Sequence, residues 1–150
     1  MTVFGRILLI CDNQSLAGAI KEKITKLGDY AVVVESGLPD VLISSEQQAY
    51  DLIILKVPIG RFSPVYLIAE IKGVDPDAVI VVLLEARDAA EIAELIDVGA
   101  HDFLISPVNT DRLKLTIDKG IKLRYLLVAN RAVSLKLKEN NRALEKQNML

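Results

Sequence analysis

Four polar side chains that could do chemistry stand at the ends of short apolar runs: Asp12, Lys56, Glu85 and Ser106. Two carboxylates that converge on one pocket repel each other, and an ammonium group between them relieves that repulsion. We therefore expect Lys56 to pair with Asp12, with Glu85 or with both. Two simpler alternatives stay open: Lys56 is an exposed lysine at a strand end, and Asp12 only caps the helix that follows it.

Enzyme chemistry of other kinds has little support in the sequence. The chain has one histidine, His101, and one cysteine, Cys11, so general acid–base catalysis and a zinc-ligand set lack their residues. It has no Gly-x-Gly-x-x-Gly or Gly-Lys-Ser/Thr motif, and the loop over residues 12–15 has no glycine to cradle a phosphate. We expect no enzyme activity, no structural metal, and a Cys11 that is a small buried hydrophobe.

The polar residues need a scaffold, and five apolar runs predict its strands. The runs cover residues 7–11, 31–34, 52–55, 79–84 and 103–105, and their starts lie roughly 20 to 27 residues apart, which leaves room for a helix and two loops. Most runs are unbroken rather than alternating, as expected for a parallel sheet that is covered on both faces. The pattern predicts a (βα)5 doubly wound parallel sheet in the strand order 2-1-3-4-5, with its functional site at the carboxyl ends of the strands.

Each predicted helix has its own boundary signals. An apolar stripe at Leu16, Ile20, Ile24 and Leu27 predicts the first helix. Gly28 stops this helix, and Pro39 starts a second one that runs to about residue 48. Ser63 and Pro64 precede the third helix, and the fourth is bounded by the capping-box residues Asp88 and Glu91 and by Gly99. Thr110 and Asp111 cap the last helix.

The last predicted helix runs from Thr110 to the end of the chain, which is too long for one globular domain. A heptad assignment that starts at Leu123 places the following residues on one seam: Leu123, Leu126, Asn130, Val133, Leu137, Asn140, Leu144 and Gln147. A polar residue such as Asn130 at an a position is typical of a two-stranded parallel coiled coil. We expect a domain over residues 1–121 and a coiled-coil linker over 122–150, truncated from a longer protein. An isolated, frayed helix is the alternative.

Composition and charge indicate a globular protein with unevenly distributed charge. Hydrophobic residues make up 51% and charged residues 25% of the 150 residues. No apolar run approaches the roughly 20 residues that cross a bilayer, and the start has no signal-peptide layout, so we expect a cytoplasmic protein without membrane contact. Residues 112–150 hold ten Lys/Arg and three Asp/Glu, a net charge of +7, whereas the preceding 111 residues carry −9. An acidic globule therefore has a basic tail.

Three segments together resemble the receiver domains of two-component response regulators. They are Arg-Ile-Leu-Leu-Ile-Cys-Asp-Asn at residues 6–13, Tyr-Asp-Leu-Ile-Ile-Leu-Lys-Val at 50–57, and Val-Gly-Ala-His-Asp-Phe-Leu-Ile-Ser-Pro at 98–107. The resemblance covers roughly residues 4 to 122. It implies the flavodoxin-like fold of that family and a site in which a carboxylate pair and an aspartate hold Mg²⁺ while a phosphoryl group is transferred to the aspartate.

Carried over by position, the metal and phosphoacceptor residues of the family are largely replaced. Cys11, a soft ligand that suits Mg²⁺ poorly, stands at the first acidic position, and Asp12 keeps the second. Lys56 stands at the phosphoacceptor position. An amine cannot form an acyl phosphate, and its positive charge repels a cation beside Asp12, so we expect neither phosphorylation there nor Mg²⁺ or any other cofactor.

The phosphate-binding positions of the resemblance are changed as well. Glu85 stands where the family has a serine or threonine, and Ser106 stands where it has a lysine before Pro107. Both changes remove affinity for phosphate. Phe103 keeps the aromatic residue that couples the pocket to the fourth helix.

The expected function is a non-phosphorylatable, receiver-like signalling module that acts by protein interaction. We expect a homodimer through the face of the fourth and last predicted helices, continued by the coil, and a last helix that transmits the state of the domain to a protein partner or a fused output domain. The alternative is a receiver-type regulator of a nucleic-acid-binding output, in transcription or antitermination, that uses the basic coil. In either case, an output domain is the only route by which we expect contact with nucleic acid to be possible.

Overall fold

The computed structural model describes residues 5–37, 49–60, 62–85 and 89–148, and within them it contains one five-stranded parallel sheet. The strands are β1 (Gly5–Ile10), β2 (Tyr30–Glu35), β3 (Leu52–Lys56), β4 (Ile80–Leu84) and β5 (Asp102–Ile105). Their order is β2-β1-β3-β4-β5, which confirms the predicted doubly wound, flavodoxin-like sheet. The central strand is β3, which pairs with β1 on one side and β4 on the other.

Four helices are present in the described part of the chain. They are α1 (Gln14–Thr25), α2 (Pro64–Val74), α3 (Ala89–Val98) and α4 (Thr110–Asn148). They match the first, third, fourth and last predicted helices. The predicted helix that starts at Pro39 and the predicted cap Asp88 lie outside the described residues.

The sheet buries apolar side chains on both faces, as its unbroken apolar runs predict. Along β3, Ile53 and Leu55 pack with α2 in one cluster, whereas Leu52 and Ile54 pack with α1 and α4 in the other. Alternate residues of a strand point to opposite faces, so one strand contributes to both clusters. Burying a leucine or isoleucine side chain fully contributes about 1.5–3 kcal/mol, which makes the central strand a rigid support for residues at its end.

Short polar side chains cap three of the helices. The Asn13 side chain accepts a hydrogen bond from the Leu16 N–H at 3.0 Å at the start of α1, and Ser63 accepts one from the Tyr66 N–H at 3.4 Å at the start of α2. The predicted cap of the last helix is wrong by one residue. Oδ1 of Asn109 accepts the N–H groups of residues 111 and 112 at 2.8 and 3.2 Å, because the residue just outside the first turn can reach those free donors.

Two arginines hold α4 against the loop that joins α2 to β4. Arg124 donates a hydrogen bond to the Asp75 carboxylate at 2.7 Å, and Arg131 donates two to the Asp77 carboxylate at 2.8 and 2.9 Å. The bidentate contact between the Arg131 guanidinium and the Asp77 carboxylate fixes the direction of the interaction as well as its distance. The position of α4 is therefore set by charged contacts beyond its buried first turns.

Glycine lets α4 lie close to the sheet. A Cβ atom placed on Gly120 would come within 2.5 Å of Cδ1 of Leu52, a fully buried side chain of the central strand. Gly18 in α1 is different, because nothing lies within 4 Å of an added Cβ there. One glycine is needed for packing, whereas the other has no such role.

We expect alanine at these two glycines to have opposite effects on stability. Gly18→Ala raises the free energy of unfolding by about 1 kcal/mol, because alanine favours a helix more than glycine does. Gly120→Ala lowers it by about 1 to 2 kcal/mol, because the clash with Leu52 outweighs the same helical gain. Urea denaturation of both variants measures the two changes. An equal gain in both would show that α4 does not need the close approach.

Candidate functional site

The predicted polar residues come together at one edge of the sheet. Lys56 is the last residue of β3, Glu85 follows β4 directly, Ser106 follows β5 directly, and Asp12 lies two residues beyond β1. In a parallel sheet the carboxyl ends of all strands meet at one edge, which is where ligands bind in doubly wound folds. The structure thus assembles the candidate site from four strands.

Lys56 is buried, with only 6% of the residue exposed. Its Nζ atom donates a hydrogen bond to the backbone oxygen of Val57 at 2.9 Å. An oxygen of the Glu85 carboxylate lies 4.0 Å from the same nitrogen, and 74% of the Glu85 side chain is exposed. The pairing with Glu85 that the sequence predicts is present, but it is a loose ion pair at the rim and not a buried salt bridge.

Asp12 has a different partner from the one expected. Its Oδ2 atom accepts a hydrogen bond from the Gly60 N–H at 2.6 Å, in the loop after β3. Gly60 has a φ of 50°, a left-handed backbone conformation that glycine adopts at little cost. Among the described residues, Lys56 has its ion pair with Glu85 and none with Asp12. Of the pairings predicted for Lys56, with Asp12, with Glu85 or with both, the one with Glu85 is therefore present. The alternative in which Asp12 caps the first helix is wrong, because Asn13 caps α1.

Cys11 and Phe103 flank the site. Cys11 is 1% exposed and packs with the apolar cluster beneath α1 and α4, as predicted for a small buried hydrophobe. Its sulfur lies 3.5 Å from the Asn13 backbone oxygen. Phe103 is half-buried on β5, where it packs against the opposite cluster. These two positions support the fold around the site from different faces of the sheet.

A cavity beside Lys56 brings in residues that the sequence analysis missed. Its volume is about 110 Å³, and its walls come from α1, from β3 to β5 and from the start of α4. The missed residues are Leu16, Lys23, Val108 and Leu113. Nothing in their local sequence marks them as site residues, since Leu16 only forms part of the apolar stripe of the first helix and the four meet only when α1 and the start of α4 pack on the same face of the sheet.

Most of the predicted coiled-coil seam is exposed on α4. Leu126, Val133 and Leu137 are each more than half exposed, and Asn130 and Asn140 are exposed too. Leu123 differs, because it packs against the apolar cluster of its own domain. The free part of the seam therefore begins at Leu126. The side chain of Leu144 lies outside the described ones.

Charged contacts on α4 also escaped the sequence analysis. The hydrogen bonds from Arg131 hold the pKa of the Asp77 carboxyl below its usual range, so that carboxylate stays ionised at a more acidic pH than a free aspartate does. The positive net charge of residues 112–150 predicted a basic surface, but it did not predict that Arg124 and Arg131 pair with Asp75 and Asp77. Part of that positive charge is neutralised within the chain.

Comparison with known proteins identifies the family. The response regulator receiver domain family matches residues 7–118, and the chain belongs to it. Receiver domains are signalling modules. The alginate biosynthesis transcriptional regulatory protein AlgB of Pseudomonas aeruginosa is 26% identical over 142 residues, which are 94% of this chain and 31% of AlgB. The chain thus spans about a third of the length of this relative.

Solved receiver domains have the same architecture. That of a putative LuxO repressor protein from Vibrio parahaemolyticus is 26% identical, covers 83% of this chain and 95% of its own, and superposes with a TM-score of 0.75. The receiver domain of a sensor histidine kinase from P. aeruginosa, with a magnesium ion in its active-site cleft, is 22% identical. It covers 79% of this chain and 98% of its own, with a TM-score of 0.71.

In the described ranges of this chain, no helix combines the length and the hydropathy needed to cross a bilayer.

We expect Lys56→Met to raise the free energy of unfolding by about 1 to 2 kcal/mol. Methionine has a similar length, fills the same apolar surroundings and removes a buried charge whose carboxylate partner is 4.0 Å away and mostly exposed. Lys21→Met, at an exposed position of α1, serves as the control and stays within about 0.5 kcal/mol of the wild type. Thermal or urea denaturation compares them. A loss of stability in Lys56→Met would mean that the ammonium is a net stabiliser.

Proposed function

We propose that this chain is a receiver module that is not phosphorylated at the end of β3 and that signals through protein interactions. It forms a homodimer and transmits its state through α4 to an output domain. The observation that supports the proposal most is the buried Lys56, which ends the central strand where the family resemblance puts the phosphoacceptor aspartate. An ammonium group at this position can accept no phosphoryl group as an acyl phosphate.

The residues around Lys56 do not fit Mg²⁺. This ion prefers oxygen ligands in a near-octahedral arrangement. Cys11 offers a buried thiol, the Asp12 carboxylate accepts a hydrogen bond from the Gly60 backbone, and the Lys56 ammonium contributes a positive charge. The receiver domain of the P. aeruginosa kinase holds magnesium in its cleft, whereas we propose that this chain holds neither a metal nor another cofactor there and is not an enzyme.

Incubation with acetyl phosphate and MgCl2 tests the missing phosphorylation. We expect intact-protein mass spectrometry to find no phosphate adduct on the wild type, because Lys56 has no carboxylate to phosphorylate. The matched control is a variant that restores the family residues, Cys11→Asp with Lys56→Asp, Glu85→Thr and Ser106→Lys, which we expect to gain a hydroxylamine-sensitive phosphate. The same labile adduct on the wild type would contradict the proposal.

The dimer is supported by the way α4 divides its faces. Leu126 and Val133 each follow an anchoring arginine, Arg124 or Arg131, by two residues. Two residues correspond to about 160° around a helix, so the apolar side chains point away from the contacts that the arginines make with their own domain. A second copy of α4 can pack on this free face without breaking the anchors.

The polarity of the seam supports a paired helix as well. All described side chains from residue 128 to 143 are exposed in the single chain, and a long, mostly polar helix of this kind is stabilised by a partner. Asn130 lies among the exposed apolar residues of the seam, where a buried asparagine selects two parallel strands. We propose that residues 1–121 form the receiver domain and 122–150 the helical linker.

We expect Val133→Lys to weaken the dimer by at least about tenfold, because a lysine at a core position of the seam must be desolvated. Leu135→Lys is the matched control. Leu135 is 55% exposed against 57% for Val133, but it lies on another face of α4, so the dimer is retained. Sedimentation equilibrium over a range of concentrations measures both. A monomeric wild type, or equal losses in both variants, would rule out this seam.

A second candidate places the module in nucleic-acid regulation. The observation in its favour is that AlgB is named a transcriptional regulatory protein and that the chain spans only about a third of it. Arg124 and Arg131 already pair with carboxylates, so we propose that contact with nucleic acid is made by a fused output domain and not by α4. Salt-dependent binding of DNA or RNA by this chain alone would instead favour a direct role for the helix.

A further inference from the structure

The cavity beside Lys56 has an apolar floor and a polar rim, and the strand geometry explains both. Ile54, Leu83 and Leu104 line the floor, and Lys56, Glu85 and Ser106 follow them by two residues. Residues two apart on a strand share a face, so each strand places an apolar side chain inside and a polar one at the edge. α1 and α4 close the sides with further apolar residues, which are Leu16, Ile20 and Leu113.

The Lys56 ammonium has fewer partners than it can bind. An ammonium group has three N–H donors. Among the described residues, one of them meets the Val57 backbone oxygen at 2.9 Å, and the Glu85 carboxylate at 4.0 Å is too far for a hydrogen bond. A buried donor without a partner costs free energy, and a charged one costs more. The rim therefore offers a buried positive charge that faces a cavity.

The charges that line the cavity favour an anion. Lys56 and Lys23 contribute two positive charges, and Glu85 contributes one negative charge that is mostly in solvent. Nζ of Lys23 donates to the Val108 backbone oxygen at 3.0 Å, which links α1 to the loop before α4 at the side of the cavity. The arrangement combines a cation at the rim with an apolar interior, which suits an amphipathic anion better than a fully polar one.

We propose that this cavity binds a small monocarboxylate with a short apolar body. The carboxylate accepts hydrogen bonds from the Lys56 ammonium and the Ser106 hydroxyl, and the apolar body lies on the floor between α1 and α4. A cavity of about 150 Å³ admits benzene, so the volume of about 110 Å³ here fits an apolar body of about four carbon atoms. Phosphate fits the cavity less well, because it has more oxygens than the Lys56 ammonium and the Ser106 hydroxyl can satisfy and has no apolar part to cover the floor.

A ligand bound in this cavity contacts the start of α4, the proposed output helix. Val108 lies in the loop before α4, and Leu113 lies in the first turns of the helix; both form part of the cavity wall. If α4 can take two positions, a ligand that packs against these residues has a different affinity for each. Such a difference in affinity is what shifts a conformational equilibrium. This regulatory role rests on the proposed function, whereas the binding site itself does not.

Titration followed by ¹H–¹⁵N NMR tests the site with 3-methylbutanoate as the probe. We expect saturable shifts of amide signals from residues that line the cavity, Leu104 and Leu113 among them. Two controls separate the parts of the ligand: 3-methylbutan-1-ol has the apolar body without the charge, and inorganic phosphate has the charge without the body. Each should bind at least about tenfold more weakly, since either the charge-assisted hydrogen bond or the buried apolar surface is lost.

Two variants check where the ligand binds. Lys56→Met removes the cation without opening the cavity, and Leu16→Trp fills the cavity from a position that is 36% exposed. Each should weaken binding at least about tenfold, whereas Lys21→Met should bind as the wild type does. The site is refuted if the wild type shows no saturable shifts, if Lys56→Met binds equally well, or if phosphate matches 3-methylbutanoate.

Sedimentation of the wild type with saturating 3-methylbutanoate tests the link to α4. We expect the dissociation constant of the dimer to change by at least about threefold. Binding without any such change would overturn the regulatory role. A wild type that is monomeric at all concentrations would contradict the dimer of the proposed function, and the NMR titration would still decide on the site.

Discussion

The arrangement of the site depends on a lysine ammonium that is buried at the end of the central strand. The backbone of Lys56 is held there by a strand that is paired on both sides and packed on both faces, and only 6% of the residue is exposed. The ammonium takes a backbone oxygen as its hydrogen-bond acceptor and leaves Glu85 at the rim. A cation that is covalently part of the chain cannot be exchanged like a bound metal.

The carboxylate of Asp12 has no contact with Lys56 among those the described residues make and has a backbone partner instead. In a site built for a metal, an aspartate at the end of β1 would serve as a ligand. Here it accepts the Gly60 N–H and joins the loop after β1 to the loop after β3. The edge of the sheet is thus closed by a hydrogen bond within the chain on one side, and on the other side it opens into an apolar cavity that reaches α4.

The long helix shows how charge and apolar surface can be separated on one element. Its arginines pair with Asp75 and Asp77 on the domain, and the exposed Leu126 and Val133 lie on the opposite side of the helix. Helix side chains two residues apart face away from each other, so the same few turns can both anchor and associate.

Much of the fold was predictable because its signals are local. Unbroken apolar runs, Ser63 with Pro64, and Gly99 mark element boundaries within a few residues of each other, and the observed strands and described helices follow them. The cap of α4 shows the limit of such signals, since Asn109, Thr110 and Asp111 all have suitable side chains and only the backbone path selects the first. Leu123 fits a heptad, but it packs against its own sheet.

The sequence by itself determined the order of strands and helices, the collection of Lys56, Glu85 and Ser106 at one edge, and the absence of an aspartate at the end of β3. Side-chain types and strand ends are properties of the linear chain, so pattern and spacing suffice for them. Only the tertiary structure decided that Asp12 binds Gly60, that a cavity adjoins Lys56 and that two arginines anchor α4. Each of these joins residues far apart in sequence, and contacts of that kind depend on how helices pack on the sheet.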